Sequence, residues 1–300
     1  MTLHVLLTMA SGGRSVEPIE EVADKIRATA TIAGVAAQVR IVEGNDLARE
    51  VRAAASDEAS RVAVGGGDGT VSTAAGVMVE SRRPLGILPL GTFNHFARDL
   101  GIPQDLEASV ANVIRGHVRE VDVAEVNGHV FVNNSSIGLY PHAVERRDQL
   151  QAVAGWPKRL SMLYAAMGVV RRFRPTHVTL RTNGAVRHVA TPFVFVGNNV
   201  FDMSLFSMGT RRALDGGVLS VYLADTRDRF GLLRFIARTL GNRLAQGQQF
   251  ESCVTDTIDV AASRPTLLVA RDGEVTRMRT PLRYRIRPRA LQVFVPPEAA

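Results

Sequence analysis

"RVAVGGGDGTVSTAA", residues 61–75, sets four glycines around one aspartate directly after a short apolar run. Strand, glycine loop and helix in that order is a common way to hold phosphate. Glycine lets the backbone approach the ligand, and the N–H groups that open the helix face an anion. The loop lacks a Gly-Lys-Ser/Thr ending, and a G-x-G-x-x-G pattern read from Gly65 meets Thr70 where its third glycine should stand, so it matches neither familiar phosphate loop. An aspartate inside an anion site repels phosphate unless a cation stands between them. Asp68 therefore points to a magnesium–phosphate unit or to an anchor for the loop, and the bland reading is a tight turn in which Asp68 caps the helix.

Outward from this loop the first third alternates strand and helix. Strand patterns lie at 3–8, 36–42, 61–64 and 84–90, and helical ones at 17–33, 46–55 and 71–80; Asn94 is a helix start and Gly101 with Pro103 a stop. Such alternation predicts a parallel sheet covered on both faces, with ligands beyond the carboxyl ends of the strands. The loops at 9–13, 65–70 and 91–95 all fall at that edge. From about residue 118 the pattern changes to β-rich runs, first a hairpin around Asn127-Gly128, then stretches near 176–182, 186–196, 218–223, 257–262, 266–270 and 282–287. Helical patterns near 158–173 and 229–243 interrupt them. The fold expected is α/β plus β: a three-layer α/β nucleotide-binding domain over 1–120 and a β-sandwich-like domain over 121–300.

The 300 residues carry a net charge of +7, and arginine supplies all but Lys25 and Lys158 of the 36 basic residues. This suits a phosphate-rich partner, though a biased genome accounts for most of it. No apolar run reaches membrane-span length, and the opening "MTLHVLLTMASGG" reads as a strand and loop, not a signal peptide. Cys253 is the one cysteine, which excludes an intrachain disulfide and suits the cytoplasm. Nucleic-acid binding is not expected, since the chain has one Trp, four Tyr and no recognition motif.

A second glycine–hydroxyl turn, Gly91-Thr92, closes "LPLGTFNHFARDLGIP" (88–103), where Thr92 and Asn94 could meet phosphate or base. Two such turns on adjacent strand ends converge on one ligand. Together, "GGDGTVSTAA" and "LGILPLGTFNHFARDLGIP" resemble the catalytic domain of diacylglycerol kinases, sphingosine kinases and bacterial lipid kinases. "FVNNSSIGL" (131–139), "VGNN" (196–199), "ALDGGVLSVYLA" (213–224), "RDGE" (271–274) and "ALQVFVP" (290–296) follow in the family's order.

The resemblance implies an ATP- and Mg2+-dependent kinase for a lipid hydroxyl, with a diacylglycerol-like substrate met at a cleft between the two domains. It places ATP phosphates at Gly66, Gly67, Asp68, Gly69, Thr70, Ser72, Thr92 and Asn94, with Ser11 and Gly12 from the first loop. It supplies the catalytic base from Asp272 or Glu274, and it folds the last strand back on the first domain. By residue type alone, Asp272-Gly273-Glu274 is a surface hairpin turn.

The chain departs from the family at several points. The first loop reads Thr8-Met9-Ala10-Ser11-Gly12 in place of Asn-Pro-x-Ser-Gly. Val42 or a neighbour replaces a strand-2 threonine, and His95 stands where many relatives have aspartate. At the family's structural magnesium turn the sequence is Leu214-Asp215-Gly216-Gly217, which leaves Asp215 as the one candidate ligand. The amphipathic stretches 156–175 and 229–244 read, each by itself, as helices packed on the β domain with their arginines in water, and they are also the best candidates for peripheral docking on a membrane surface that carries the lipid substrate. Two other functions are open: an NAD kinase-like phosphotransferase, which shares G-G-D-G-T, and a lipid or nucleotide sensor without catalysis.

Overall fold

The computed structural model describes residues 2–8, 17–138, 175–182, 184–201, 211, 213–224 and 250–297. The helical stretches expected at 158–173 and 229–243 lie outside these, as do Ser11 and Gly12.

Four parallel strands form the start of the first sheet: β1 (Thr2–Thr8), β2 (Ala36–Val42), β3 (Ser60–Gly66) and β4 (Leu85–Pro89), in the order β2-β1-β3-β4. Alternation along them feeds two cores. Leu3, Val5, Leu7 and Ala63 face α1 (Ile19–Ile32) and α5 (Leu106–Arg115), whereas Leu6, Val62 and Val64 face α2 (Leu47–Ala55) and α3 (Asp68–Ser81). These are the three expected layers. The helix over 106–115 was not expected from the sequence. Its signals are the Asp105 cap, which accepts from Ala108 N at 2.9 Å, and the buried Val110, Val113 and Ile114.

The second half is a two-sheet sandwich. One face comprises β13 (Thr257–Ala262), β8 (Thr176–Thr182), β9 (Ala185–Thr191) and the first part of β16 (Leu282–Val295). The other runs β12 (Phe250–Thr255), β11 (Leu219–Ala224), β10 (Phe193–Asn198), β7 (Asn134–Gly138), β14 (Thr266–Arg271), β15 (Glu274–Arg279). Val178, Leu180, Ile258, Val260 and Tyr284 meet Val194, Val196, Val221 and Val269 between them. The Tyr284 phenol is buried there, and desolvation pushes its pKa up to about 12.

One sheet runs through both halves. β5 (His117–Val126) pairs antiparallel with β16 over nearly all its length, from Tyr284↔Val126 to Val295↔His117, with a register shift between Arg287 and Leu291. Beyond that shift Val293 pairs in parallel with Leu85 of β4. The residue 120/121 division expected from the sequence falls inside β5. A short β6 (His129–Phe131) completes the Asn127-Gly128 hairpin, and both turn residues have positive φ.

Candidate active site

The site is assembled at the carboxyl ends of β3 and β4. Leu90 N donates to Gly66 O at 3.2 Å, so the two glycine turns lie side by side. A Cβ on Gly91 would stand 2.5 Å from Gly67 Cα and 2.7 Å from Asn94 Oδ1, so the close approach requires glycine. Asn94 adopts φ 53°, with a buried side chain. Its Oδ1 accepts from Gly91 N at 2.9 Å, and its Nδ2 donates to Pro89 O and Gly91 O at 3.0 Å each and to Gln104 Oε1 at 3.3 Å. Asn94 is therefore the pin of the second turn. It does precede α4 (His95–Asp99), but without a side-chain capping bond. Thr92 is exposed beside it.

Thr70 is tied to the end of β1 through a 2.8 Å hydroxyl contact with Thr8 Oγ1. Asp68 opens α3 half-buried. Its Oδ1 accepts long hydrogen bonds from Phe96 N (3.4 Å) and Asn133 Nδ2 (3.3 Å), and among the described residues Oδ2 has no hydrogen bond. A half-buried carboxylate with one uncommitted oxygen beside a phosphate loop fits a Mg2+ ion that takes its other ligands from phosphate and water.

The β14–β15 turn closes over this loop. Asp272 and Gly273 both have positive φ (45° and 90°), so the segment is the Asp-Gly hairpin its residue types predict. The turn also delivers two carboxylates. Asp272 accepts from Val132 N (2.8 Å), Asn133 N (2.8 Å) and Asn134 N (3.0 Å), and Ser72 bonds the same carboxyl. Burial pushes its pKa up and these four donors pull against it. Glu274 is placed differently: a Cβ on Gly69 would lie 2.7 Å from Glu274 Oε1. Glu274 is exposed as a whole residue, and it is the partial desolvation of its carboxyl beside the Gly69 loop that raises its pKa, with Arg271 opposing and Asp272 adding to the shift. A cavity of about 260 Å³ opens beside Glu274, lined by Ser72, Thr73, His129, Arg271 and Arg287 among others. A larger one of about 800 Å³ lies between β8, β9 and β13 near β12, which is four strands removed from β15.

With this geometry in place, comparison with known proteins is informative. A family model described as the diacylglycerol kinase catalytic domain matches residues 2–126, and one described as the YegS C-terminal NAD kinase beta sandwich-like domain matches residues 136–295. The chain belongs to the YegS-like, diacylglycerol kinase-like lipid kinase family. The protein named "Probable lipid kinase YegS-like" from Yersinia pestis (strain Pestoides F) is 36% identical over 162 residues, 51% of this chain and 52% of its own length. An uncharacterized protein from Synechocystis, sll0036, is 26% identical over 245 residues, 80% of this chain and 55% of its own. The chain thus spans about half the length of the curated relatives it matches. Among solved structures, a diacylglycerol kinase from Bacillus anthracis str. Sterne shares the fold at TM-score 0.68 and 20% identity, covering 99% of this chain and 98% of that one. Another structure from that strain superposes at TM-score 0.73 and 22% identity, with the same coverage.

In this lipid-kinase-family chain, the β14–β15 turn brings Glu274 against Gly69 and Asp272 against Ser72, so both carboxylates adjoin the segment Gly66, Gly67, Asp68, Gly69, Thr70 and Ser72, with Thr92 and Asn94 in the neighbouring turn. The magnesium turn of the second half does not fit a metal. Asp215 is exposed, Gly216 offers no carboxylate, and Asp122, the buried acid at that turn, accepts from Gly217 N (2.7 Å) and Arg289 N (2.8 Å) through its two oxygens. Backbone hydrogen bonds hold the turn, and among the described residues no three His, Cys, Asp or Glu side chains converge on a metal position. Three residues that sequence reading did not single out belong to the site's support: Asn133, Asp99 and Arg211. Asn133 and Asp99 lie within family-like runs, 131–139 and 88–103, but Arg211 lies in no pattern that marks a function.

Proposed function

We propose that this chain is an ATP- and Mg2+-dependent lipid kinase that phosphorylates a lipid hydroxyl, with a diacylglycerol-like acceptor. The observation that carries the reading is the placement of Glu274 Oε1 against Gly69, which sets an uncommitted carboxylate beside a glycine phosphate loop. The loop N–H groups at Gly66–Gly69 and the start of α3 would bind the ATP phosphates, and Thr70 and Thr92 would add hydroxyl donors. Mg2+, when bound, offsets phosphate charge during transfer. Glu274 would accept the proton of the lipid hydroxyl. The oxygen of the lipid hydroxyl would then bond to the γ-phosphorus as the bond to the β–γ bridging oxygen breaks, releasing ADP. Asp272, saturated by four donors, would hold the turn that presents Glu274. No helix among the described residues is long and apolar enough to cross a membrane, which is compatible with docking on a lipid surface from the cytoplasm.

The test is a screen of the purified chain with labelled ATP, Mg2+ and extracted lipids, identifying the product by mass spectrometry. A phosphorylated glycerolipid is expected, and no labelled lipid under any condition would sink the reading. The NAD kinase-like character in the description of the C-terminal family supports a second reading, phosphorylation of NAD. NADP formed in place of a phospholipid would establish it.

A further inference from the structure

Below the cleft floor lies a guanidinium that the proposed chemistry does not use. The Arg211 side chain, just before β11, is 0% exposed, and Nε meets Asp99 Oδ2, itself 6% exposed, at 2.7 Å. The ion pair ties Arg211, whose backbone bridges Phe201, to the end of α4 in the first half. The cation lies 5.5 Å from the Phe96 ring centre and 5.4 Å from that of Phe201. Nη1 donates to Val132 O (2.5 Å) and, at 3.4 Å, to Asn198 O; Nη2 donates to Asn133 Oδ1 at 3.1 Å.

Asn133, 4% exposed, is the link. Its amide oxygen and nitrogen could exchange places, but arginine has only donors and keeps its charge at all working pH values. Arg211 therefore fixes Asn133 with its oxygen inward, so that the NH2 group always faces Asp68 Oδ1. The same guanidinium holds Val132 O, at the start of the 132–134 turn whose N–H groups carry Asp272. One buried cation thus sets the direction of two carboxylates on separate elements. Simple stabilisation explains it less well, because a buried ion pair contributes little net stability against its desolvation cost. Lysine would keep the charge without the planar fork that reaches Asp99, Val132 and Asn133 together.

We propose that Arg211, buttressed by Asp99, is a positioning residue that orients Asp68 through the Asn133 amide and Asp272 through the 132–134 turn. The functional consequence rests on the kinase reading above; the relay itself does not. Two measurements separate them. In the 15N-labelled 300-residue chain, the Asn133 side-chain NH2 signals are identified by their disappearance in N133A. Both R211K and D68N should shift these signals, and R211K should speed their hydrogen exchange. In turnover assays, R211K should lower kcat by about 10- to 100-fold with KM for ATP within about twofold, the pattern of misplaced groups rather than lost binding. The double variant R211K/N133A should be slower than N133A alone, but by less than the full R211K factor, since the two substitutions share the Asn133 arm while the Val132 arm depends on Arg211 alone.

Asn133 signals that ignore both R211K and D68N would overturn the relay, as would kinetic losses that simply multiply in the double variant. If wild-type chain phosphorylates no acceptor while the Asn133 signals respond as stated, the kinase reading fails and the relay stands. Should R211K not fold, D99N takes its place. It keeps the guanidinium but removes its buttress, so it should shift the same signals, and unmoved signals would again overturn the proposal.

Discussion

Asp272 and Glu274 lie two residues apart in opposite chemical situations, and a substitution at each separates their roles. Asp272 is held by three backbone N–H groups and Ser72. An amide in its place would turn donors toward donors, so Asp272→Asn should cost about 1–3 kcal/mol for each buried group left unpaired, read as a lower midpoint in urea. Glu274 has no such cradle. If it is the base, Glu274→Gln should cut kcat by about 10²- to 10⁴-fold. Partial desolvation of its carboxyl raises its pKa, so the folded chain favours the protonated form. The stability this group adds is fully present below its unfolded pKa and is lost as pH rises through the folded one. Near neutrality its charge opposes folding, so Glu274→Gln should leave Tm unchanged or higher while turnover collapses. In wild type the acid limb of the kcat/KM profile should begin at higher pH than an ordinary carboxylate gives. A Tm that falls in Glu274→Gln would contradict this account. Residue type alone could not separate the pair, because which carboxylate is cradled depends on the 132–134 turn, about 140 positions away in sequence.

At the scale of elements, local signals placed most of the first half. The glycine loop, the apolar runs of β1–β4 and the stripe of α1 appear where their periodicity puts them. The α5 helix escaped notice because its cap and short stripe sit next to the Gly101-Pro103 stop. Asn94 was legible as a helix entry, whereas its inward amide bonds follow from the approach of Gly91 to Gly67. Gly91→Ala would force a Cβ onto that backbone, which cannot yield as a side-chain tip could. A loss of about 1–3 kcal/mol is expected, with weaker ATP binding in a fluorescence titration. The 214–217 turn gives a contrasting test. Because Asp122 holds it through Gly217 N and Arg289 N, chelation with EDTA should leave Tm unchanged, whereas Asp122→Ala should lower it markedly. A drop in Tm on chelation would point to a metal after all.

At the scale of the whole molecule, β5 and β16 couple the two halves. Leu291 and Val293 serve the three-layer core, while Leu282, Tyr284 and Ile286 of the same strand serve the sandwich. Cavities in either core should therefore be felt by both. Leu291→Ala and Ile258→Ala, each removing a side chain no more than 1% exposed, should each cost about 2–5 kcal/mol. Both variants should unfold in one calorimetric transition at a lower temperature; two separated transitions would show independent halves. The sequence by itself determined the fold class, the strand–glycine-loop–helix arrangement and the family, because these rest on short-range periodicity, turn chemistry and ordered motifs. Only the tertiary structure decided that Glu274 faces Gly69, that Asp272 is cradled, that Asp122 bonds the backbone of Gly217 and Arg289, and that Arg211 and Asp99 pair. Those contacts join residues far apart in the chain, and no local propensity records which distant donor a buried carboxylate will find. "GGGDGT" marked the candidate phosphate loop, but the hairpin that closes over it from residue 272 was written some 200 residues later.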